Sequence, residues 1–109
     1  LSFLSEDLFC NCPGISSFSY CFYSCTSLTG VPAGLFDNNR KVVSFKGTFR
    51  DCVSLTGESP YTEIGGKKVH LYERRNYGGE FVTLNEYDAC FRNCNGLSDY
   101  NTMPSAWNK

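Results

Sequence analysis

The sequence lacks a strong charge of either sign. Its 109 residues include 10 lysines and arginines against 11 aspartates and glutamates, which leaves a formal net charge of −1. A protein that follows a phosphate backbone needs a clustered cationic face. The two basic pairs, Lys67-Lys68 and Arg74-Arg75, are short, and we interpret them as parts of a solvated loop. The charge balance therefore argues against a nucleic acid partner.

Long apolar runs are also missing. No segment approaches the roughly 20 apolar residues that a membrane-spanning helix needs, and no signal peptide is visible. The chain opens at Leu1-Ser-Phe-Leu4, which is typical of the middle of a longer sequence. We expect a chain without a membrane-spanning segment, from which a targeting segment has been removed.

Residues for catalysis are scarce. His70 is the single histidine, and a Cys–His nucleophile pair would need a cysteine beside it in space. No nucleophile, base and oxyanion donor converge in the sequence. The Gly65-Gly66 and Gly78-Gly79 pairs lack the strand-to-helix context of a phosphate-binding loop. We therefore expect no enzymatic activity and no cofactor, with His70 exposed on a hairpin.

The sequence does contain a repeated motif, F-x-x-C-x-x-L, which occurs three times. Sliding the chain along itself superposes the copy at Phe22 on the copy at Phe49, and a longer shift superposes the copy at Phe49 on that at Phe91. The difference between the two shifts indicates a segment inserted before the third copy. The repeated positions define a predicted core of Phe22, Cys25, Leu28, Phe49, Cys52, Leu55, Phe91, Cys94 and Leu97.

The spacing within one copy changes along its length. Val42, Phe45, Phe49 and Cys52 follow one another in the i, i+3, i+7, i+10 pattern, which indicates one face of a short helix. The stretch 28–32 ends in proline and is typical of a brief strand. Each copy would then be a strand, a loop and a helix. Stacked copies predict an α/β solenoid with short parallel strands on one face and short helices on the other.

The inserted segment has its own pattern. Two short runs flank Gly65-Gly66, and Val69 and Leu71 alternate with polar neighbours, which predicts a β-hairpin. At the chain end, Trp107 is placed to cover the core, as a terminal cap must. No comparable cap precedes Leu1, so we expect an N-terminal edge open to self-association. The predicted organisation is one domain, 1–109, with repeats at about 1–27, 28–54 and 55–96, a hairpin within 58–83 and a cap at 97–109.

The motif, followed two to three residues later by an apolar residue and proline, resembles the BspA-like leucine-rich repeats of bacterial surface proteins. The resemblance covers residues 1–57 and 84–104; the copies are slightly long for the family, and the hairpin departs from it. It implies a right-handed, curved leucine-rich-repeat solenoid, secretion or a cell-surface location, and adhesion or protein binding. The family brings no catalytic residues.

The cysteines are candidates for disulfide bonds or metal ligands. Seven are present, so at least one stays unpaired within the chain. Cys25, Cys52 and Cys94 hold one repeat position, where buried thiols serve as small apolar groups. Equivalent residues of neighbouring coils would lie about 5 Å apart, which is within disulfide range. Disulfide bonds between members of this row are therefore an alternative to free thiols.

A zinc site is the other chemistry that the cysteines suggest. The candidate ligands are Cys10, Cys12, Cys21, Cys25, Cys90, Cys94 and His70. In the middle copy the positions of Cys10, Cys12 and Cys21 hold Asp37, Asn39 and Thr48, and the ligands are spread along the stack. Tetrahedral zinc needs ligands gathered at one point. We therefore expect no metal.

The favoured hypothesis is a non-enzymatic cell-surface binding or adhesion module for a protein partner, such as a host or matrix protein. The alternative is a structural spacer or C-terminal capping segment of a longer surface protein; carbohydrate binding ranks last. Off-register tyrosines on the hairpin either form a binding patch or pack the hairpin onto the repeats. The candidate ligand residues are Thr29, Thr56 and Ser98 on the strand face, and Tyr61, Tyr72 and Tyr77 on the hairpin.

Overall fold

Among the residues that the structure describes, regular secondary structure lies in the second half of the chain. The computed structural model describes residue 4 and residues 8–9, 11–12 and 14–109. Strands β1 (Tyr61–Ile64) and β2 (Lys67–His70) pair antiparallel, and a 3-10 helix follows at Leu71–Asn76. A single turn of α-helix, α1, lies at Ser105–Asn108. None of the helices in this described part has the length and apolar character to cross a membrane.

The predicted hairpin is confirmed. Tyr61 faces His70 and Ile64 faces Lys67 across the pair. Gly65 and Gly66 form the turn with φ values of 59° and 82°, a left-handed backbone that glycine adopts without the strain of a side chain.

The predicted α/β leucine-rich-repeat solenoid is wrong. In the described residues of the three copies outside the inserted segment 58–83, no helix forms, and the strands expected there are reduced to isolated bridges. The segment 42–52, predicted to be helical, holds the bridge residue Ser44 and then turns over 46–51. Thr29, Thr56 and Ser98 accordingly lie on no strand.

The reason lies in the backbone. Positive φ values recur at two equivalent positions of each copy: Tyr20, Gly47 and Ala89 at the first, and Ser24, Asp51 and Asn93 at the second. A right-handed helix cannot continue through a left-handed residue. The helix-like apolar spacing therefore belongs to turns that direct the same side chains into the core.

The copies nevertheless lie side by side. Parallel bridges join Ser17 to Ser44 and Ser44 to Glu86, and these pairs are related by the same two shifts that superpose the motif copies in the sequence. The amide of Phe22 donates to the Thr48 carbonyl at 2.8 Å, as equivalent amides do along the stack. The turns are thus held by hydrogen bonds between neighbouring copies.

The C-terminal segment covers the third copy. The Ala89 amide donates to the Ala106 carbonyl at 2.8 Å, and the Phe91 amide donates to the Trp107 carbonyl at 2.7 Å. Trp107 is 2% exposed, and its ring stacks on Phe91 with centroids 6.2 Å apart. Trp107 therefore lies over the core, as predicted.

The core is a set of stacked rings. Phe49 lies between Phe22 and Phe91, with centroid distances of 5.3 Å and 5.5 Å and interplanar angles of 12° and 2°. We call these three side chains the phenylalanine row. The other predicted core positions are buried with it, except Cys25, which is partly buried against it.

The buried thiols are more than small apolar groups. Cys52 Sγ donates to the Phe22 carbonyl at 3.0 Å, and Cys94 Sγ donates to the Phe49 carbonyl at 2.9 Å. Each thiol thus binds the copy before it. The described cysteines, which are 12, 21, 25, 52, 90 and 94, are all free; Cys10 lies outside the described residues, as does the predicted open edge at Leu1.

Candidate functional site

A buried cation anchors the segment that carries the site. Arg74 is 1% exposed, and its guanidinium donates to the carbonyls of Asn39 at 2.8 Å and Phe36 at 2.9 Å. Its charge also lies 4.3 Å from the centroid of Phe81. Burial, helped by the nearby charge of Arg40, lowers the pKa of Arg74 to about 9, so the cation persists at neutral pH. The interpretation of this basic pair as a solvated loop is wrong for Arg74.

His70 is held by carboxylates on both sides. Nε2 lies 2.6 Å from Glu58 Oε2, and Nδ1 lies 2.6 Å from Glu73 Oε1. Its side chain is 12% exposed, so the prediction of an exposed histidine is wrong. A neutral imidazole donates one hydrogen bond, whereas the imidazolium donates both. The hydrogen bond from His70, supported by Lys68, holds the pKa of Glu58 below its ordinary value.

Asp99 joins the hairpin segment to the third copy. The Ser59 amide donates to Oδ1 at 3.0 Å, while the hydroxyls of Ser59 and Tyr72 donate to Oδ2 at 2.5 Å and 2.9 Å. Burial raises the pKa of Asp99, but these hydrogen bonds together outweigh burial and hold the pKa below its ordinary value. The carboxylate therefore fixes Tyr72 in place.

Ring contacts run from the hairpin to α1. His70 stacks on Tyr72 with centroids 5.1 Å apart at 9°, and the centroid of Tyr61 lies 5.4 Å from that of His70. Tyr72 meets the edge of Trp107 at 6.2 Å, and Trp107 stacks on Tyr87 at 5.3 Å. We call these five rings the aromatic row. It joins the hairpin to the C-terminal segment.

An open cleft of about 580 Å³ lies along the end of the aromatic row. The lining residues come from the 3-10 helix, from Tyr87 of the third copy, and from α1 with its preceding proline. We call it the cleft, and its lining is Tyr72, Arg75, Asn76, Tyr87, Pro104, Ser105, Ala106 and Trp107. Arg75 is the single charged side chain of this lining. Its Nη1 donates to Tyr87 Oη at 2.8 Å, with the guanidinium 5.2 Å from the ring centroid.

The sequence-predicted residues divide between two places. Thr29, Thr56 and Ser98 are exposed, and both the amide and the hydroxyl of Thr56 donate to the Thr29 carbonyl at 3.0 Å. Ser98 bonds instead to Gly57. Of the hairpin tyrosines, Tyr61 and Tyr72 enter the aromatic row; Tyr77 is half-buried and does not line the cleft.

Most of the cleft was missed by the sequence reasoning. Arg75 belongs to a basic pair that is interpreted as a solvated loop, and Tyr87 stands at the third-copy position equivalent to Phe45 of the middle copy. A weak signal existed in the tyrosines that fall outside the repeat register, and Tyr72 was found in that way. Asn76, Ser105 and Ala106 carry no pattern that would indicate them, and Trp107 is predicted as a cap and not as part of a site.

The part of the chain that the structure describes contains no group of three or more histidine, cysteine, aspartate or glutamate side chains placed to hold a metal ion. The carboxylates around His70 bind the imidazole and the hydroxyls instead.

In comparisons with known proteins, no family model, no curated protein and no solved structure matches the chain.

Proposed function

We propose that the chain is a non-enzymatic binding module, secreted or at the cell surface, that holds a segment of a partner protein in the cleft. The observation that carries this proposal is the cleft itself. Its volume of about 580 Å³ lies in the range of roughly 300–1,000 Å³ that is typical of ligand sites.

The lining is fixed before any partner arrives. Tyr72 is held by its ring contact with His70 and its hydrogen bond to Asp99. Tyr87 is held by its ring stack with Trp107 and by the hydrogen bond that its hydroxyl accepts from Arg75. Side chains that are already ordered lose little freedom on binding, and tyrosine, tryptophan and arginine are the types that most often dominate binding energy.

A protein segment suits the cleft better than a sugar. A sugar ring stacks on an open aromatic face. Here one face of Tyr72 is covered by His70, and Tyr87 is covered by Trp107 and by Arg75. The resemblance to BspA-like surface proteins, which are associated with adhesion and protein binding, supports the same choice.

A capping segment of a longer surface protein is the second candidate function. The observation that favours it is the pair of hydrogen bonds from Ala89 and Phe91 to the carbonyls of the C-terminal segment. These bonds satisfy the amides of the third copy. Capping and binding can be tested separately. The capping hydrogen bonds use main-chain carbonyls, and these remain when a side chain that lines the cleft is replaced.

The test is selection of peptide ligands. A phage library of short random peptides is selected on the full chain. Enriched peptides are then measured by isothermal titration against Ala106→Trp, which fills the cleft. The matched control is Val53→Trp, because Val53 is exposed and does not line the cleft. Thermal unfolding verifies that both variants fold.

We expect peptides that bind the wild type and Val53→Trp equally and lose binding to Ala106→Trp. Peptides that bind all three proteins equally, or a selection without enrichment, would overturn the cleft as the binding site and leave the capping role.

A further inference from the structure

The cleft is uncharged except for one cation, and this sets the kind of segment that fits. We propose that the cleft selects partner segments that carry a carboxylate side chain, which Arg75 binds. The proposal rests on the proposed function and adds the chemical class of the ligand.

Arg75 is positioned but not neutralised. A guanidinium has five N–H donors, and the hydroxyl of Tyr87 accepts from one nitrogen. The ring of the same tyrosine supports the planar group at 5.2 Å. No carboxylate pairs with Arg75 within the described part of the chain, where the ion pairs involve Arg40, Arg50, Lys68 and His70. Donors therefore remain for a ligand.

Two carboxylates that contact the aromatic row are already engaged in hydrogen bonds within the chain. Glu73 Oε1 accepts from both the amide and the ring of His70. Asp99 accepts three hydrogen bonds from Ser59 and Tyr72. These acids serve the aromatic row, so the lining keeps one positive charge with nothing to offset it. An acidic group brought by a ligand completes the pairing.

The charge also limits the ligand to a single acidic group. The net charge of the whole chain is −1, which gives no general attraction for a polyanion. One arginine suits one carboxylate, which it can bind through two parallel hydrogen bonds. A lysine at this position would offer a point charge without that geometry.

The test compares selections on wild type and on Arg75→Glu with the same random peptide library. Wild type is expected to enrich aspartate or glutamate at one fixed position of the peptide, and Arg75→Glu is expected to enrich lysine or arginine there. The best acidic peptide should bind Arg75→Gln about tenfold or more weakly. Arg75→Lys should fall between the two. Arg92→Gln, an exposed change outside the cleft, is the control and should bind like wild type.

The outcomes separate the two proposals. Neutral peptides that are lost in Ala106→Trp but unaffected by Arg75→Gln would overturn the carboxylate preference while the binding cleft stands. Acidic peptides that depend on Arg75 yet still bind Ala106→Trp would overturn both, because the contact would then lie outside the cleft. Peptides that need both Arg75 and an open cleft support both.

Discussion

The phenylalanine row predicts energetic coupling between neighbours and none between its ends. Phe49 stacks on Phe22 and on Phe91 at 5.3 Å and 5.5 Å, nearly parallel in both cases. Replacement of any of the three by leucine keeps an apolar side chain and removes the ring contact. A stacked pair contributes about 0.5–1.5 kcal/mol beyond the area that it buries.

Double-mutant cycles measure that contribution. Each single and double leucine variant is unfolded in urea, and the free energy of unfolding is extrapolated to water. We expect the Phe22/Phe49 and Phe49/Phe91 pairs to show coupling of about 0.5–1.5 kcal/mol. The Phe22/Phe91 pair should be additive within about 0.5 kcal/mol, because Phe49 separates the two rings.

Two single substitutions test the same arrangement, because one should lower the free energy of unfolding strongly and the other hardly at all. Phe49→Ala empties a site that is 0% exposed and should cost about 3–5 kcal/mol. Val53→Ala, at an exposed position of the same copy, should change stability by less than about 0.5 kcal/mol. Equal coupling in all three pairs, or a Phe49→Ala variant as stable as Val53→Ala, would refute the stacked arrangement.

Three further predictions concern a thiol, a carboxylate and a glycine. Cys52→Ala should cost about 1 kcal/mol more than Cys52→Ser in urea unfolding, because serine keeps a donor for the Phe22 carbonyl; equal costs would contradict the thiol hydrogen bond. The pKa of Asp99 is held low in the folded state, so its contribution is present above the unfolded pKa and is lost as pH falls through the folded pKa. The advantage of wild type over Asp99→Asn should therefore shrink as the pH falls below about 4, the ordinary pKa of an aspartate, and a difference that stays constant with pH would contradict this prediction. Gly96→Ala should cost about 1–3 kcal/mol, because its Cβ would lie 2.5 Å from a backbone carbonyl oxygen; Gly30→Ala, with open space around it, is the matched control in thermal unfolding.

The sequence predicted which residues share an environment better than it predicted their backbone. The two shifts that relate the motif copies recur in the bridges, and the repeated apolar positions lie in the core. Apolar spacing reports which side chains face inward, and a helix and a series of turns can face the same ones. The residue types at the left-handed positions do not indicate a positive φ, since tyrosine and alanine, which occupy positions 20 and 89, rarely adopt such a conformation.

The site was harder to predict because adjacent residues have opposite surroundings. Arg74 is buried against two carbonyls, whereas Arg75 is exposed in the cleft. Nothing in the pair Arg74-Arg75 distinguishes them, since the difference arises from the 3-10 helix and the copies that it packs against. His70 is likewise surrounded by acids from three separate parts of the chain.

The recurrent left-handed residues bear on how the chain folds. Five of the six positions hold a residue with a side chain, for which this backbone costs roughly 1–2 kcal/mol each. Within the described residues, and outside the inserted segment 58–83, a copy has no helix or strand of its own to offset that cost, and strained residues persist only where surrounding contacts determine them. The turns therefore form only when neighbouring copies supply their hydrogen bonds. We expect the described repeats to fold together in one cooperative transition, and a peptide of the middle copy alone to be unstructured.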